Sequence, residues 1–168
     1  MDWRLDDSLE SEQLNTLILI DKLFEKYPQG INPVFHVLGG TALVFHGISS
    51  IATIDIDVAN RVNDNVKSLV SDFISDNASE VATLPCHYES RLIPFHAENF
   101  KHIQVFLLSL EDLAITKLGS FRHKDKEDLV KTNFLQKVDY EKLIHIIHHE
   151  FKDEIVKSKI LVNLASLE

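Results

Sequence analysis

The first third of the chain changes from helical to strand spacing of its apolar side chains. Over residues 11–27 the apolar positions repeat at intervals close to 3.6 residues, which predicts an amphipathic helix. Residues 34–38 form a short β-rich run, Gly39 and Gly40 follow it, and residues 41–46 have helical character. The predicted order is therefore a strand, a glycine turn and a helix.

The next apolar run alternates with acids. Residues 53–59 have the sequence TIDIDVA, and successive side chains of a strand point to opposite faces. Asp55 and Asp57 therefore share one face, opposite the apolar residues. Asp is depleted in strands, and like charges on one face repel, so we expect a cation to offset this repulsion.

The rest of the chain predicts more strands and then helices only. Helical spacing predicts a helix over residues 63–76, capped by Asn63 or Asp64. Strands are predicted at 81–84, 88–93 and 102–108. Helices are predicted at 110–118, 124–133, 140–149 and 153–167, the first of them capped by Ser109, with Asp112 three residues later as in a capping box. The expected fold is α/β (α+β), a small mixed sheet flanked by helices with a C-terminal helical tail.

Composition fits one globular domain. The chain has 168 residues, of which 45% are apolar and 26% charged, so we expect a single domain over 1–168. Residues 1–108 would form its helix and sheet core, and 109–168 the helical part. No leader and no long apolar run is present, which predicts a cytoplasmic protein without a membrane partner. The one cysteine, Cys86, is expected to be a buried small hydrophobe.

The two acids and the two glycines together suggest a metal and phosphate site. Mg²⁺ typically takes one or two protein carboxylates with phosphate oxygens, and Mn²⁺ suits the same ligands. Gly39 and Gly40 let backbone N–H groups approach a phosphate, where the Thr41 hydroxyl can donate as well. Two simpler interpretations stay open: Asp55 and Asp57 as solvated acids on an edge strand, and a glycine turn that serves structure alone.

Positive charge is concentrated late in an otherwise acidic chain. The net charge of −9 disfavours long-range attraction of nucleic acid, so any such contact needs a local basic patch. The patch consists of Lys117, Arg122, Lys124, Lys126, Lys131 and Lys137. It suits a polyanionic ligand, such as a triphosphate or an RNA end. Ion pairs with the nearby Asp125, Glu127 and Asp128 are the alternative.

These residues resemble a known superfamily. The sequences GGTAL at 39–43 and TIDIDV at 53–58, followed by EDLAITKL at 111–118 and RHKDKEDL at 122–129, are similar to the polymerase β-like nucleotidyltransferases. Within that superfamily they look like the bacterial AbiEii and MenT toxin-type branch. The resemblance covers roughly residues 34–130.

The resemblance implies a role for each matching residue. Gly39, Gly40 and Thr41 would hold phosphates, and Asp55 and Asp57 would bind Mg²⁺. Lys117 would contact phosphate, and Asp128 or Asp125 would support catalysis. The implied reaction transfers a nucleoside monophosphate from a nucleoside triphosphate to a hydroxyl of tRNA or protein, in a toxin that has an antitoxin partner.

Two departures motivate a second hypothesis. Ile51 stands where related sequences often carry a basic residue, and no acid lies within residues 102–108 as a third metal ligand, with Glu89 and Glu98 as weak substitutes. A catalytically weak nucleotide- or RNA-binding regulatory module is therefore the alternative. Mg²⁺-dependent triphosphate binding without transfer would favour it.

The histidines add little chemistry at this level. His145, His148 and His149 share a predicted helix, but no further ligand lies nearby along the chain. We therefore interpret them as surface or interface histidines. His123, beside the basic patch, is a weak candidate for a general base.

Overall fold

The protein consists of two compact units. The computed structural model describes residues 9–27, 31–48 and 55–168, with side chains described from residue 12. One unit takes the described part of residues 1–80 together with 93–107, and the other takes 81–92 and 108–168. The fold is α+β with small sheets, as predicted. The single domain over 1–168 stays a prediction.

The first unit contains the strands and the shorter helices. Its elements are α1 (Leu9–Glu25), β1 (Val34–Val37), α2 (Gly39–Phe45), β2 (Ile56–Asp57), α3 (Asp64–Val70), β3 (Ile74–Ser75), β4 (Ile93–Pro94) and β5 (Gln104–Leu107). A further short helix, α4 (Ala78–Val81), follows β3 along the chain.

The main sheet of the first unit has the order β1-β5-β4. Strand β1 is parallel to β5, and β4 is antiparallel to β5. Phe35 pairs with Val105 and Val37 with Leu107, and all four side chains are buried, because alternate residues of each strand face the core. The strand over 102–108 is thus confirmed in its central part.

A second, parallel sheet pairs β2 with β3. The predicted strand over 53–59 is observed only at Ile56–Asp57, and residues 49–54 lie outside the described part. The helix predicted to reach residue 76 was wrong in its second half, since α3 ends at Val70. Buried Ile74 instead pairs with Ile56, so tertiary packing outweighs the helical spacing there.

The second unit is helical. Its elements are a 3₁₀ helix (Tyr88–Arg91), α5 (Leu110–Ser120), α6 (His123–Lys131), α7 (Phe134–Lys137), α8 (Tyr140–Glu150) and α9 (Glu154–Ser166). Helix α5 is buried at every position from 111 to 119. The Ser109 side chain accepts a hydrogen bond from the backbone N–H of Asp112, which confirms the predicted N-cap.

The predicted strand over 81–84 was wrong, and the one over 88–93 was wrong except at Ile93, where β4 begins. Residue 81 ends α4, and residues 82–84 are irregular. Residues 88–91 form the 3₁₀ helix rather than a strand. The Arg91 side chain binds two carboxylates of the second unit, and this tertiary anchor holds the segment in a turn. Cys86, expected to be buried, is exposed because it lies in this irregular segment.

The four long helices predicted after Ser109 are confirmed within three residues at each end, and α7 is an addition that the sequence did not predict.

Within the described ranges, the helices are too short or too polar to cross a membrane.

Candidate functional site

The glycine turn and the acidic strand meet in the first unit. Gly39 has a φ of +67°, a left-handed conformation that favours glycine. A Cβ added to Gly39 would lie 3.4 Å from Asp57 Oδ2 and 3.8 Å from Asp57 Cβ. The backbone N–H of Leu38 donates to the carbonyl oxygen of Asp57 at 3.1 Å. The predicted proximity of the turn and the acid is therefore observed.

The backbone around Asp57 is held from several sides. Val58 N–H donates to Ser75 O at 2.9 Å, and Ala59 N–H donates to His36 O at 2.7 Å. The Asn60 amide then bonds to β1 twice: its Nδ2 donates to Val34 O at 2.7 Å, and its Oδ1 accepts from His36 N–H at 2.8 Å. These bonds fix the backbone next to Asp57 relative to β1 and β3.

Asp55 lies one residue before β2. Its side chain is exposed, whereas Asp57 is half-buried. The predicted strand alternation that puts both acids on one face is observed only from Ile56 onward. Asp55 is therefore placed by its connection to Ile56 rather than by strand pairing.

Thr41 contributes a buried hydroxyl. The residue is 1% exposed, and its Oγ1 has no hydrogen-bond partner among the residues that the structure describes. Buried hydroxyls are nearly always hydrogen-bonded in proteins, so this atom has donor and acceptor capacity available for a ligand. Gly40, between Gly39 and Thr41, is half-buried.

The donor set fits Mg²⁺ better than a nitrogen- or sulfur-preferring metal. Asp55 and Asp57 supply oxygen atoms only. In the described part of the chain, no group of three or more His, Cys, Asp or Glu side chains could hold a metal ion. A site with two carboxylates, completed by phosphate oxygens, is the composition that Mg²⁺ and Mn²⁺ accept.

The second unit brings Lys117, Asp125 and Asp128 together. Lys117 Nζ lies 2.8 Å from Asp128 Oδ2 and 3.4 Å from Asp125 Oδ1. Lys117 and Asp125 are buried, and the Asp128 side chain is 16% exposed. The predicted lysine and both predicted acids therefore form one ion-pair cluster.

Asp125 is the hydrogen-bonding centre of that cluster. Its Oδ2 accepts from Ser120 Oγ at 2.7 Å and from the backbone N–H and Nε of Arg122 at 2.9 and 3.0 Å. Burial by itself would raise the pKa of Asp125, but the bonds from Arg122 and Ser120, with the Lys117 charge, hold it below its usual value. These bonds anchor the start of α6.

Ion pairs account for part of the basic patch. The observed pairs are Arg122 with Asp125, Lys131 with Glu127, and His123 with Glu127. Lys126 Nζ lies 4.7 Å from the centre of the Phe121 ring, a cation–π contact. The ion-pair interpretation is therefore confirmed for Arg122 and Lys131. Lys124 and Lys137 are exposed, and their role in binding a polyanion stays a prediction.

Sequence reasoning missed a second buried charge cluster. The Arg91 guanidinium binds Asp112 at 2.9 and 2.7 Å and Glu150 at 2.5 and 2.8 Å. Ser109 Oγ also donates to Asp112, at 2.7 Å. The hydrogen bonds between the two side chains raise the pKa of Arg91 and lower the pKa of Glu150. No local spacing predicts this cluster, because its members lie 21 and 59 positions apart.

The weaker candidates for metal binding and catalysis do not join a metal-binding group among the described residues. Glu89 and Glu98 are exposed, Glu98 in the loop between β4 and β5. His123 is 90% exposed, and its Nε2 lies 3.1 Å from Glu127. Ile51 lies outside the described residues.

Comparison with known proteins gives one match. No curated protein and no solved structure matches the chain. Residues 15–165, nearly the whole chain and parts of both units, match the family DUF6036. The match agrees with the expected nucleotidyltransferase superfamily and does not extend to the AbiEii and MenT branch. The chain therefore belongs to this family, which is described as a nucleotidyltransferase of unknown function.

Proposed function

We propose that the protein is a Mg²⁺-dependent nucleotidyltransferase that moves a nucleoside monophosphate from a nucleoside triphosphate to an acceptor hydroxyl. The observation that carries the proposal is the approach of Asp57 Oδ2 to the Cβ-free face of Gly39. This contact joins a carboxylate to a turn whose backbone a phosphate can approach. Membership of a nucleotidyltransferase family supports the same reaction class.

The first unit would bind the triphosphate. Asp55 and Asp57 would hold Mg²⁺ or Mn²⁺, while the backbone of Gly39 and Gly40 and the Thr41 hydroxyl would bind phosphate oxygens. A bound divalent ion supplies charge neutralisation for the phosphates and lowers the pKa of an acceptor hydroxyl. The acceptor hydroxyl would give its proton to solvent, its oxygen would form a bond to the α-phosphorus, the bond from that phosphorus to the oxygen bridging to the β-phosphorus would break, and pyrophosphate would leave.

Lys117 would supply a positive charge. We assign Lys117 to a phosphate contact, with Asp128 and Asp125 orienting its ammonium group, since the three are bonded in the structure. Positively charged groups that face developing negative charge stabilise the transition state of phosphoryl transfer. Asp125 would act on Lys117 and on the start of α6 rather than on substrate, because its oxygens already accept several hydrogen bonds.

The test is transfer of label from each of four α-³²P nucleoside triphosphates, with Mg²⁺, to total tRNA and to cell protein. Asp57→Asn should reduce transfer at least about 100-fold, the scale of losing a key charged group in a reaction centre. Asp72→Asn, an exposed acid of the same unit, is the matched control and should retain full transfer. Transfer that persists in Asp57→Asn would overturn the metal assignment.

A second candidate function is a nucleotide- or RNA-binding module with little catalysis. It is favoured by one observation: Lys117 is buried and already bonded to two carboxylates. Moving the ammonium to a phosphate would leave those acids without their partner, which is unfavourable in a buried site. The same labelled triphosphates separate the two functions, since a module would retain Mg²⁺-dependent binding without transfer.

The toxin role and the antitoxin partner stay predictions. Inducible expression of the wild type and of Asp57→Asn in the same bacterial strain tests them. Growth arrest by the wild type alone would support a toxin that works through nucleotidyl transfer. Normal growth of both strains would argue against it.

A further inference from the structure

Helix α8 presents two histidines one turn apart on its exposed surface. His145 and His149 have ring centres 4.1 Å apart, and their planes differ by 24°, so the rings are stacked. Both side chains are exposed. Residues four apart lie on the same helix face, so the two rings are held over one patch of surface.

The protonation of one ring follows from its hydrogen bond. His149 Nδ1 lies 2.8 Å from the carbonyl oxygen of His145. A carbonyl oxygen only accepts, so Nδ1 must donate, and a neutral His149 then has its lone pair on Nε2. Metal-binding histidines commonly donate their second nitrogen to a backbone carbonyl in this way, which fixes the ring and its tautomer.

We propose that His145 and His149 form a binding site for one late first-row divalent metal ion, with Zn²⁺ as its representative. Zinc–nitrogen distances of about 2.0–2.1 Å in tetrahedral geometry hold two nitrogens about 3.4 Å apart. To bind one ion, the rings turn about their side-chain bonds from the stacked arrangement until one nitrogen of each ring points at the metal. Two histidines at this spacing on one helix face are a recurrent zinc-binding arrangement.

The chemistry of this site differs from that of Asp55 and Asp57. Imidazole nitrogen suits Zn²⁺, Ni²⁺ and Cu²⁺, whereas Mg²⁺ prefers oxygen ligands. Among the described residues no third His, Cys, Asp or Glu joins the pair, so water completes the coordination. Such an open, two-ligand site binds more weakly than a closed four-ligand site and leaves positions available for exchange.

The test is calorimetric titration of the full chain with ZnCl₂, together with ¹⁵N NMR of the histidine rings. We expect one Zn²⁺ per chain and a shift of the His149 Nε2 resonance. His145→Gln and His149→Gln should each weaken binding at least 10-fold. His148→Gln, which changes an exposed histidine of the same turn, is the matched control and should stay within twofold of the wild type.

Three results would overturn the site: no saturable binding of one Zn²⁺, equal weakening by His148→Gln, or ligation through His149 Nδ1. The exposed positions make unfolding of the variants unexpected, and far-UV circular dichroism checks this directly. An excess of Mg²⁺ should leave Zn²⁺ binding unchanged. Since neither histidine belongs to the proposed transfer machinery, loss of nucleotidyl transfer would not affect this assignment, nor the reverse.

Discussion

Two regions of the molecule hold acids predicted to act in catalysis, and their surroundings differ. In the first unit, Asp57 lies against the backbone of Gly39, where a side chain is absent. In the second unit, Asp125 and Asp128 lie against the ammonium group of Lys117. One acid borders a glycine at which an added Cβ would touch its carboxylate, and the other two face a cation.

This difference separates two ways of placing a carboxylate. A carboxylate beside glycine borders backbone that a phosphate can approach closely, so the two could share one cation. A carboxylate bonded to a buried lysine is positioned by charge, and the pair depends on both members. We therefore expect substitutions in the first region to change activity, and those in the second to change stability first.

The largest expected effect is a loss of stability when the buried lysine of the second region is replaced. Lys117→Met leaves Asp125 and Asp128 without their shared cation, and breaking a buried ion pair costs about 3–5 kcal/mol. Lys131→Met removes a surface pair with Glu127, in which the lysine is 71% exposed, and should leave the stability nearly unchanged. The free energy of unfolding from urea titration measures both.

The comparison fails if Lys117→Met is as stable as Lys131→Met. Lys117 would then be a functional lysine without a structural role. In that case nucleotidyl transfer by the stable variant, measured at saturating triphosphate, gives the size of its contribution to the reaction.

The next largest effect is on stability and triphosphate binding when the glycine of the first region is replaced. Gly39→Ala forces a side chain into a left-handed conformation and adds a Cβ 3.4 Å from Asp57 Oδ2. The backbone strain should cost about 1–2 kcal/mol, and triphosphate binding should fall because the Cβ hinders the approach of a phosphate to this backbone. Equilibrium binding of a labelled triphosphate with Mg²⁺ and urea unfolding measure the two effects.

Gly47→Ala is the matched control for Gly39. Gly47 also has a positive φ, +73°, but an added Cβ meets nothing within 4 Å in the described part of the chain. The Gly47→Ala variant should therefore lose the same amount of stability as Gly39→Ala but keep its triphosphate binding. Equal loss of binding in both variants would show that strain alone, and not the contact with Asp57, explains the result.

The smallest effect concerns acid sensitivity of the first unit. Bonds from the Lys67 ammonium group and from the backbone N–H of Val62 hold the pKa of Asp76 below its ordinary value of 3.8. The folded-state pKa is depressed, so the stability from Asp76 is present above pH 3.8 and is lost as the pH falls through the lowered value.

Asp76→Asn should remove this dependence. The difference in unfolding free energy between the wild type and the variant should shrink between pH 7 and pH 3, while exposed Asp72→Asn shows no such trend. Urea titrations at several pH values measure it. A constant difference across that range would mean that Asp76 stabilises the fold without the charge of its carboxylate.

Local signals in the sequence predicted much of the fold. The apolar spacing of α1 and the Ser109 cap of α5 depend on neighbours within four residues, and both are confirmed. The proximity of Gly39 to Asp57 was also predictable, because the glycine pair and the acidic strand follow one another in the order seen in the polymerase β-like nucleotidyltransferases.

The errors come from interactions between distant residues. Ile74 continues a helical pattern along the chain, but in the structure it joins a sheet. Its strand partner, Ile56, lies 18 positions away. Arg91 follows strand-like alternation, yet its side chain is held by Asp112 and Glu150. No window of a dozen residues contains these partners, so the sequence pattern could not show them.

The cluster of Arg91, Asp112 and Glu150 has a consequence for how this protein can change over evolutionary time. Replacement of Arg91 alone by an apolar residue would leave two carboxylates without their cation, and most such intermediates would be selected against. The three positions can be exchanged together far more easily than one by one. In a set of related sequences they should therefore vary as a linked group, or hardly at all.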